Sequence, residues 1–202
     1  MKWLLPRKGA LNKLKLIIDV DNVIGDLCQA VLDVYNEDSG DCLTKEDITS
    51  YYIDNFVKSQ YKEGFKHYFL DSRVWKQMKY VEGARKYITK LFNDGHDIYF
   101  CTKTEMKNAP KKESYLQRTF PFINIRKKLI ICPDKTMIRG DILVDDCAEN
   151  FGGQKYSIVL DCCWNKHFKE DDIKNFRCKS WEEIYETIQK IFLREKLSSK
   201  II

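Results

Sequence analysis

Five short apolar runs alternate with longer stretches of helical spacing. "LKLIIDV" (14–20), "DIYFCT" (97–102), "KLIICP" (128–133), "DILVDD" (141–146) and "SIVLD" (157–161) are mostly continuous, as strands buried on both faces are. "GARKYITKLFNDG" (83–95), "APKKESYLQRTF" (109–120) and "SWEEIYETIQKIFLREK" (180–196) carry apolar residues at helical spacing. Asn108 before Ala109 and Pro110 predicts a helix start, and Asp94-Gly95 predicts a helix end. The alternation predicts an α/β fold whose mostly parallel sheet is covered on both faces.

Residues 38–79 break this rhythm. They hold no strand run and are rich in Tyr, Phe, Lys and Asp; "YYIDNFVKSQYKEGFKHYFLDSRVWKQM" has helical spacing. They predict a small helical lobe inserted after the first strand and its helix. Most of its aromatics are expected to fill the lobe's own core. The chain then divides into a core of residues 1–37 and 80–202 and a lobe of residues 38–79.

Open parallel sheets bind ligands at the carboxyl ends of their strands. The first run ends on Asp19 and Asp21, the second on Thr102 and Lys103, and the fourth on Asp145 and Asp146; Lys135 follows the third in its loop. Singly, each is an ordinary loop or cap residue. Together they place four acids, a hydroxyl and an amine at one sheet edge. Converging carboxylates repel and stay ionised only if a cation joins them. Hard oxygen donors favour magnesium, usually shared with a substrate phosphate. A lysine can neutralise that phosphate and a threonine hydroxyl can hydrogen-bond it, so the set points to phosphoryl transfer. In "DVD", residues i and i+2 point to one side of an extended chain. One acid can then attack phosphorus while the other protonates the leaving oxygen. Asn22 follows where the chain must turn, and Asn tolerates the left-handed conformation.

Composition narrows the setting. The 202 residues suit one domain, or one with an inserted lobe. A net charge of +5, from 35 basic and 30 acidic residues with interleaved signs, does not form the clustered face of a nucleic-acid binder. The eight cysteines form no CxxC pair and several lie in apolar runs, which predicts a reduced, cytoplasmic protein. The basic start "MKWLLPRKGALNKLK" raises a transit peptide, but a first strand beginning near Leu14 leaves too little to remove. No apolar run reaches the ~18 residues of a membrane span.

"LIIDVDNV", "FCT", "DKT" and "ILVDD", in that order, resemble the four motifs of the haloacid dehalogenase (HAD) superfamily of phosphatases. The chain resembles the cytosolic and mitochondrial 5'(3')-deoxyribonucleotidases more closely. "DKTMIRGDILVDD" (134–146), "VWKQMKYVEGARKYITKL" (74–91) and "VLDCCWNKHF…RCKSWEEI" (159–184) carry that likeness. The resemblance implies a HAD-like, Rossmann-like three-layer core with a small helical cap inserted after the first strand. It implies a magnesium-dependent phosphomonoesterase acting on (deoxy)ribonucleoside monophosphates, in a family whose members often form homodimers.

Carried over by position, the resemblance makes Asp19 the nucleophile that forms a phosphoaspartate. Asp21 becomes the general acid and base. Thr102 would bond the phosphoryl group and Lys135 would neutralise it. Asp19, Asp21 (through its carbonyl) and Asp146 would hold Mg2+, while Asp145 would orient a metal-bound water or Lys135. Lys103 and Trp75 are the further substrate-binding candidates. Three positions depart from the family: Asn22 replaces Gly, Lys103 replaces Ser, and Leu27 stands where an aromatic base stacker is expected. Other readings stay open here: another small phosphoester, a nucleic-acid end, or a non-catalytic binding protein on a HAD scaffold. A receiver domain would order its acids, Thr and Lys differently, and a P-type ATPase would have Thr in place of Asp21.

Overall fold

The computed structural model describes residues 13–198, so the amino-terminal segment weighed as a transit peptide lies almost entirely outside the described residues. In chain order the regular elements are β1 (Lys15–Ile18), α1 (Leu27–Ser39), α2 (Ser59–Lys62), α3 (Ser72–Gln77), α4 (Ala84–Asn93), β2 (Asp97–Thr102), α5 (Ala109–Thr119), α6 (Ile125–Lys128), β3 (Leu129–Ile131), β4 (Ile142–Asp145), β5 (Tyr156–Leu160), β6 (Asn175–Cys178) and α7 (Trp181–Ser198). Each of the five apolar runs became a strand. The sixth, "NFRC", was not visible in the sequence. It lies at the sheet edge beside β5 and its first three residues are half-buried, so it needs no continuous apolar run.

All six strands are parallel, in the order β3-β2-β1-β4-β5-β6. The connection from β3 jumps back across β2 and β1 to β4. The order therefore reverses between β1 and β4, the place where doubly wound sheets open a binding crevice.

The two faces are covered differently. Leu16, Ile18, Ile98, Phe100, Ile142, Val144, Ile158 and Leu160 join one large core cluster with α4, α5 and α7. Their alternates Ile17, Cys101 and Leu143 form a separate cluster with Ile138 and Phe151. Those last two residues come from the connections after β3 and β4, which hold only 3-10 turns, at Lys135–Met137 and Ala148–Asn150. The sheet is covered on both sides as expected, but connecting segments build the layer on this second face because they are too short for a full helix.

Residues 40–79 contain no strand. They hold α2, α3 and 3-10 turns at Lys45–Asp47, Ile53–Asn55 and Phe65–Leu70. Tyr35 of α1 anchors them: the rings of Tyr61, Phe65 and Tyr68 meet it edge-on at 5.5, 5.8 and 6.0 Å. Arg73 donates to both oxygens of Asp38 at 2.7 Å and to Asp71. Helix α1 runs to Ser39, and Gly40 ends it at φ 60 with its N–H on Asn36 O. The helix thus continues two residues into the expected lobe. Asn108 does precede α5, but it makes no capping bond. Its backbone is already helical, and its amide Nδ2 donates instead to Phe69 O at 3.2 Å. Among the described residues no helix is long and apolar enough to cross a membrane.

Candidate active site

β1 delivers Asp19, whose N–H bonds Val144 O of β4 at 2.9 Å, so the acid is fixed at the switch point. The chain then turns tightly. Asn22 adopts φ 58, its N–H reaches Gly25 O, and Gly25 N–H reaches back to Val20 O. A Cβ on Gly25 would lie 2.9 Å from Met78 Cε and 3.0 Å from Tyr115 Oη, so any larger residue would have to push those side-chain ends aside. Asn22 does more than tolerate its conformation. Its Oδ1 accepts from Cys28 N in the first turn of α1, and its Nδ2 donates to Asp146 Oδ2 at 3.2 Å. The glycine of the family pattern could make neither bond. Trp181 of α7 donates Nε1 to Val23 O at 2.7 Å and clamps the same turn from the other side.

The strand ends converge. Lys135 Nζ, presented by the 3-10 turn after β3, donates to Asp19 Oδ1 at 2.5 Å and Asp145 Oδ2 at 2.7 Å. Asp145 Oδ1 accepts from Cys147 N and Asn150 Nδ2, so protein donors engage both of its oxygens. That fits the role of orienting Lys135. Asp19, Lys135, Asp145 and Asp146 are all buried. Asn165, in a turn after β5, donates Nδ2 to Asp146 O and Leu160 O and fixes the backbone carrying Asp146.

Electrostatics here is lopsided. Burial pushes Asp19 up to about 7; Asp145 and Asp21 add to the rise against the pull of Lys135. Burial, then Asp19 and Asp145, hold Asp146 well above the usual carboxylate range. Burial alone would lower the pKa of Lys135, but Asp19 and Asp145 outweigh it and raise that pKa well above the usual value. Asp19, Asp145 and Asp146 each offer an oxygen within 4.8 Å of the others. Three crowded, buried acids against one ammonium leave negative charge that a divalent cation with a taste for oxygen would balance. Because the oxygens of Asp145 are taken, Asp19 and Asp146 are the acids free to hold it.

Thr102 ends β2, fully buried, and its Oγ1 accepts from Lys112 Nζ at 2.6 Å. The same ammonium pairs with Asp21 Oδ2. Sequence reasoning missed Lys112. A signal was present: Lys112, Tyr115, Leu116 and Thr119 are the buried residues of α5 and follow i, i+3, i+4, i+7 spacing. A lysine in the apolar register of a helix is a buried charge that needs a partner.

Asp21 and Lys112 also line a cavity of ≈ 220 Å³ between the core and residues 40–79. Lys103 and Trp75, the other candidates, line this cavity and not the acidic cluster. Lys103 is exposed, whereas Trp75 is half-buried and donates Nε1 to Phe69 O at 3.0 Å. Leu27 occupies the wall where an aromatic was expected. Tyr51, Phe69 and Trp164, none singled out from sequence, supply aromatic surface instead.

A 5'(3')-deoxyribonucleotidase of Clostridium acetobutylicum is 28% identical over 179 residues, covering 86% of this chain and 93% of the relative. One from Bacillus subtilis is 27% identical over 174 residues, covering 84% and 95%. Among solved structures, the HAD-hydrolase YfnB of Bacillus subtilis, bound to magnesium, superposes with a TM-score of 0.54 at 15% identity, covering 87% of this chain and 98% of that one. A HAD family hydrolase from Deinococcus radiodurans with bound phosphate and sodium gives 0.55 at 11% identity, covering 89% and 96%. These distant structures establish the HAD fold. The family model of the 5' nucleotidase, deoxy (pyrimidine), cytosolic type C protein matches residues 12–197. This chain belongs to that family and is a phosphomonoesterase on the HAD fold.

Proposed function

We propose that this protein is a magnesium-dependent 5'-nucleotidase that hydrolyses (deoxy)ribonucleoside monophosphates through a phosphoaspartate. The observation that carries the reading is Lys135 bridging Asp19 and Asp145 beside Asp146, next to a cavity whose wall holds Asp21. The fold relative solved with magnesium and the deoxyribonucleotidase relatives support the cofactor and the substrate. The eight cysteines are all unpaired, which supports a reduced, cytoplasmic setting.

Asp19 attacks phosphorus and the bond to the nucleoside oxygen breaks. Asp21 gives that oxygen its proton. Water then attacks the phosphoaspartate; Asp21 takes its proton, phosphate leaves and Asp19 is restored. Lys112 donates to Thr102 Oγ1, so the hydroxyl hydrogen of Thr102 is free to donate to a phosphoryl oxygen. Lys135 holds Asp19 in place and offsets charge on the phosphoryl group. Magnesium, held by Asp19 and Asp146, would supply further charge neutralisation at the phosphoryl oxygens.

Phosphate release from a panel of dNMPs, NMPs and sugar phosphates tests this. Release from nucleotides that EDTA abolishes and magnesium restores is the expected result. Release from sugar phosphates alone would keep the chemistry and discard the substrate, and no magnesium-dependent release at all would discard the function.

The pKa of Asp19 adds a pH dependence. Without a cation it titrates near 7 in place of 3.8. Its stabilising contribution is therefore fully present below pH 3.8 and lost as pH rises through about 7. Magnesium competes with that proton, so its binding should strengthen with pH up to that point. Saturating MgCl2 should raise Tm more at about pH 7.5 than at about pH 5.5. An equal gain at both would mean that Asp19 is already ionised in the free protein.

A further inference from the structure

Among the described residues, seven buried side-chain nitrogen or oxygen atoms lack a hydrogen-bond partner. Three of them, Asp21 Oδ1, Asn108 Oδ1 and Trp164 Nε1, belong to residues lining the cavity beside the acidic cluster. Native proteins rarely leave such atoms unpaired, and their concentration around one cavity points to a ligand that completes them. Asp21 already has its role in proton transfer. Trp164 also borders a recess containing Asp146 and Asn165, which places it toward the phosphoryl end. Asn108 has no such role.

Asn108 is 5% exposed and its orientation is fixed. Its Nδ2 is the end that faces Phe69 O, because a flipped amide would set two oxygens against each other at 3.2 Å, so Oδ1 is the end left free. Lys111 Nζ, one turn of chain away, donates to Leu70 O at 2.6 Å and pins the same junction. Phe69, Leu70 and Trp75 line the same cavity, together with polar residues such as Lys103, Thr104 and Glu105. An immobilised acceptor beside the rings of Phe69 and Trp75 suits a flat heterocycle with an N–H on its edge.

We infer that Asn108 is a specificity-determining residue whose Oδ1 accepts a hydrogen bond from a ring N–H of the pyrimidine on the leaving nucleoside. This rests on the nucleotidase reading. It also assigns base recognition to a residue that follows β2, away from the position of Leu27.

The test compares dTMP with its N3-methyl derivative, which has lost the ring N–H, in the wild type and in Asn108→Leu. In the wild type, methylation should lower kcat/KM at least about tenfold. In Asn108→Leu, dTMP should fall at least about tenfold and the methylation penalty should disappear, as a double-mutant cycle between contacting groups requires. Loss of the bond to Phe69 O alone would lower both substrates alike and keep the penalty, which would overturn the inference. Equal wild-type rates on the two substrates would overturn it without any variant. If the wild type releases no phosphate from dTMP while hydrolysing other esters, the nucleotidase reading falls first.

Discussion

Asp19→Asn is expected to lower kcat for nucleotide hydrolysis by at least ~10⁴-fold, since losing a covalent nucleophile costs up to about 10⁶-fold in enzymes built this way. An amide cannot attack phosphorus as the carboxylate does, and the other acids are differently occupied. Asp145 is engaged by Lys135, Cys147 and Asn150, and Asp21 is paired with Lys112. The same change should not unfold the protein. It removes one of three crowded, buried carboxylates while Lys135 keeps Asp145 as a partner. Because ionised Asp19 is unfavourable in the cation-free protein up to about 7, the metal-free variant should melt at or above the wild-type temperature near neutral pH. A dead enzyme with unimpaired Tm is the predicted pair of results. Wild-type turnover in Asp19→Asn would place the nucleophile elsewhere.

The acidic cluster was legible from sequence for a simple reason. Buried parallel strands read as continuous apolar runs, so their ends, and the acids on them, can be located by eye. Asp19, Thr102 and Asp145 follow directly from where β1, β2 and β4 stop. The hidden parts depend on packing between distant segments. Lys112 sits on the buried face of α5, and only the fold shows that Thr102 and Asp21 face it. Asn22 could be read as a turn residue, but not as the bond between α1 and Asp146. β6 was hidden because an edge strand with Asn and Arg at alternate positions has no apolar signature. The aromatic wall of the cavity was obscured by its abundance: residues 40–79 hold many rings, and Tyr61, Phe65 and Tyr68 surround Tyr35 while Phe69 and Trp75 line the cavity.

Lys135→Met is expected to damage both stability and turnover, and its pH dependence separates the two causes. Lys135 is the ammonium that Asp19 and Asp145 share, and all three groups are buried. Removing one partner of a buried ion pair costs about 3–5 kcal/mol because the remaining charge is left without compensation. For a domain of this size that is roughly a 10 °C fall in Tm. Methionine fills much of the lysine's volume, so the loss is electrostatic more than steric. Without the ammonium, Asp19 and Asp146, already raised by burial, should rise further and bind protons more readily. Protonation relieves the repulsion, so the Tm deficit of Lys135→Met should be small at about pH 5 and large at about pH 8. Lys112→Met provides the contrast. Its partner Asp21 is partly exposed, with 22% of its side chain accessible, so the same change there should cost less stability. Turnover of Lys135→Met should fall at least ~10³-fold even at pH 5, since a buried charge that stabilises the transition state is gone. A deficit in Tm that is equal at both pH values would mean that Lys135 packs the switch point and does not balance its charge.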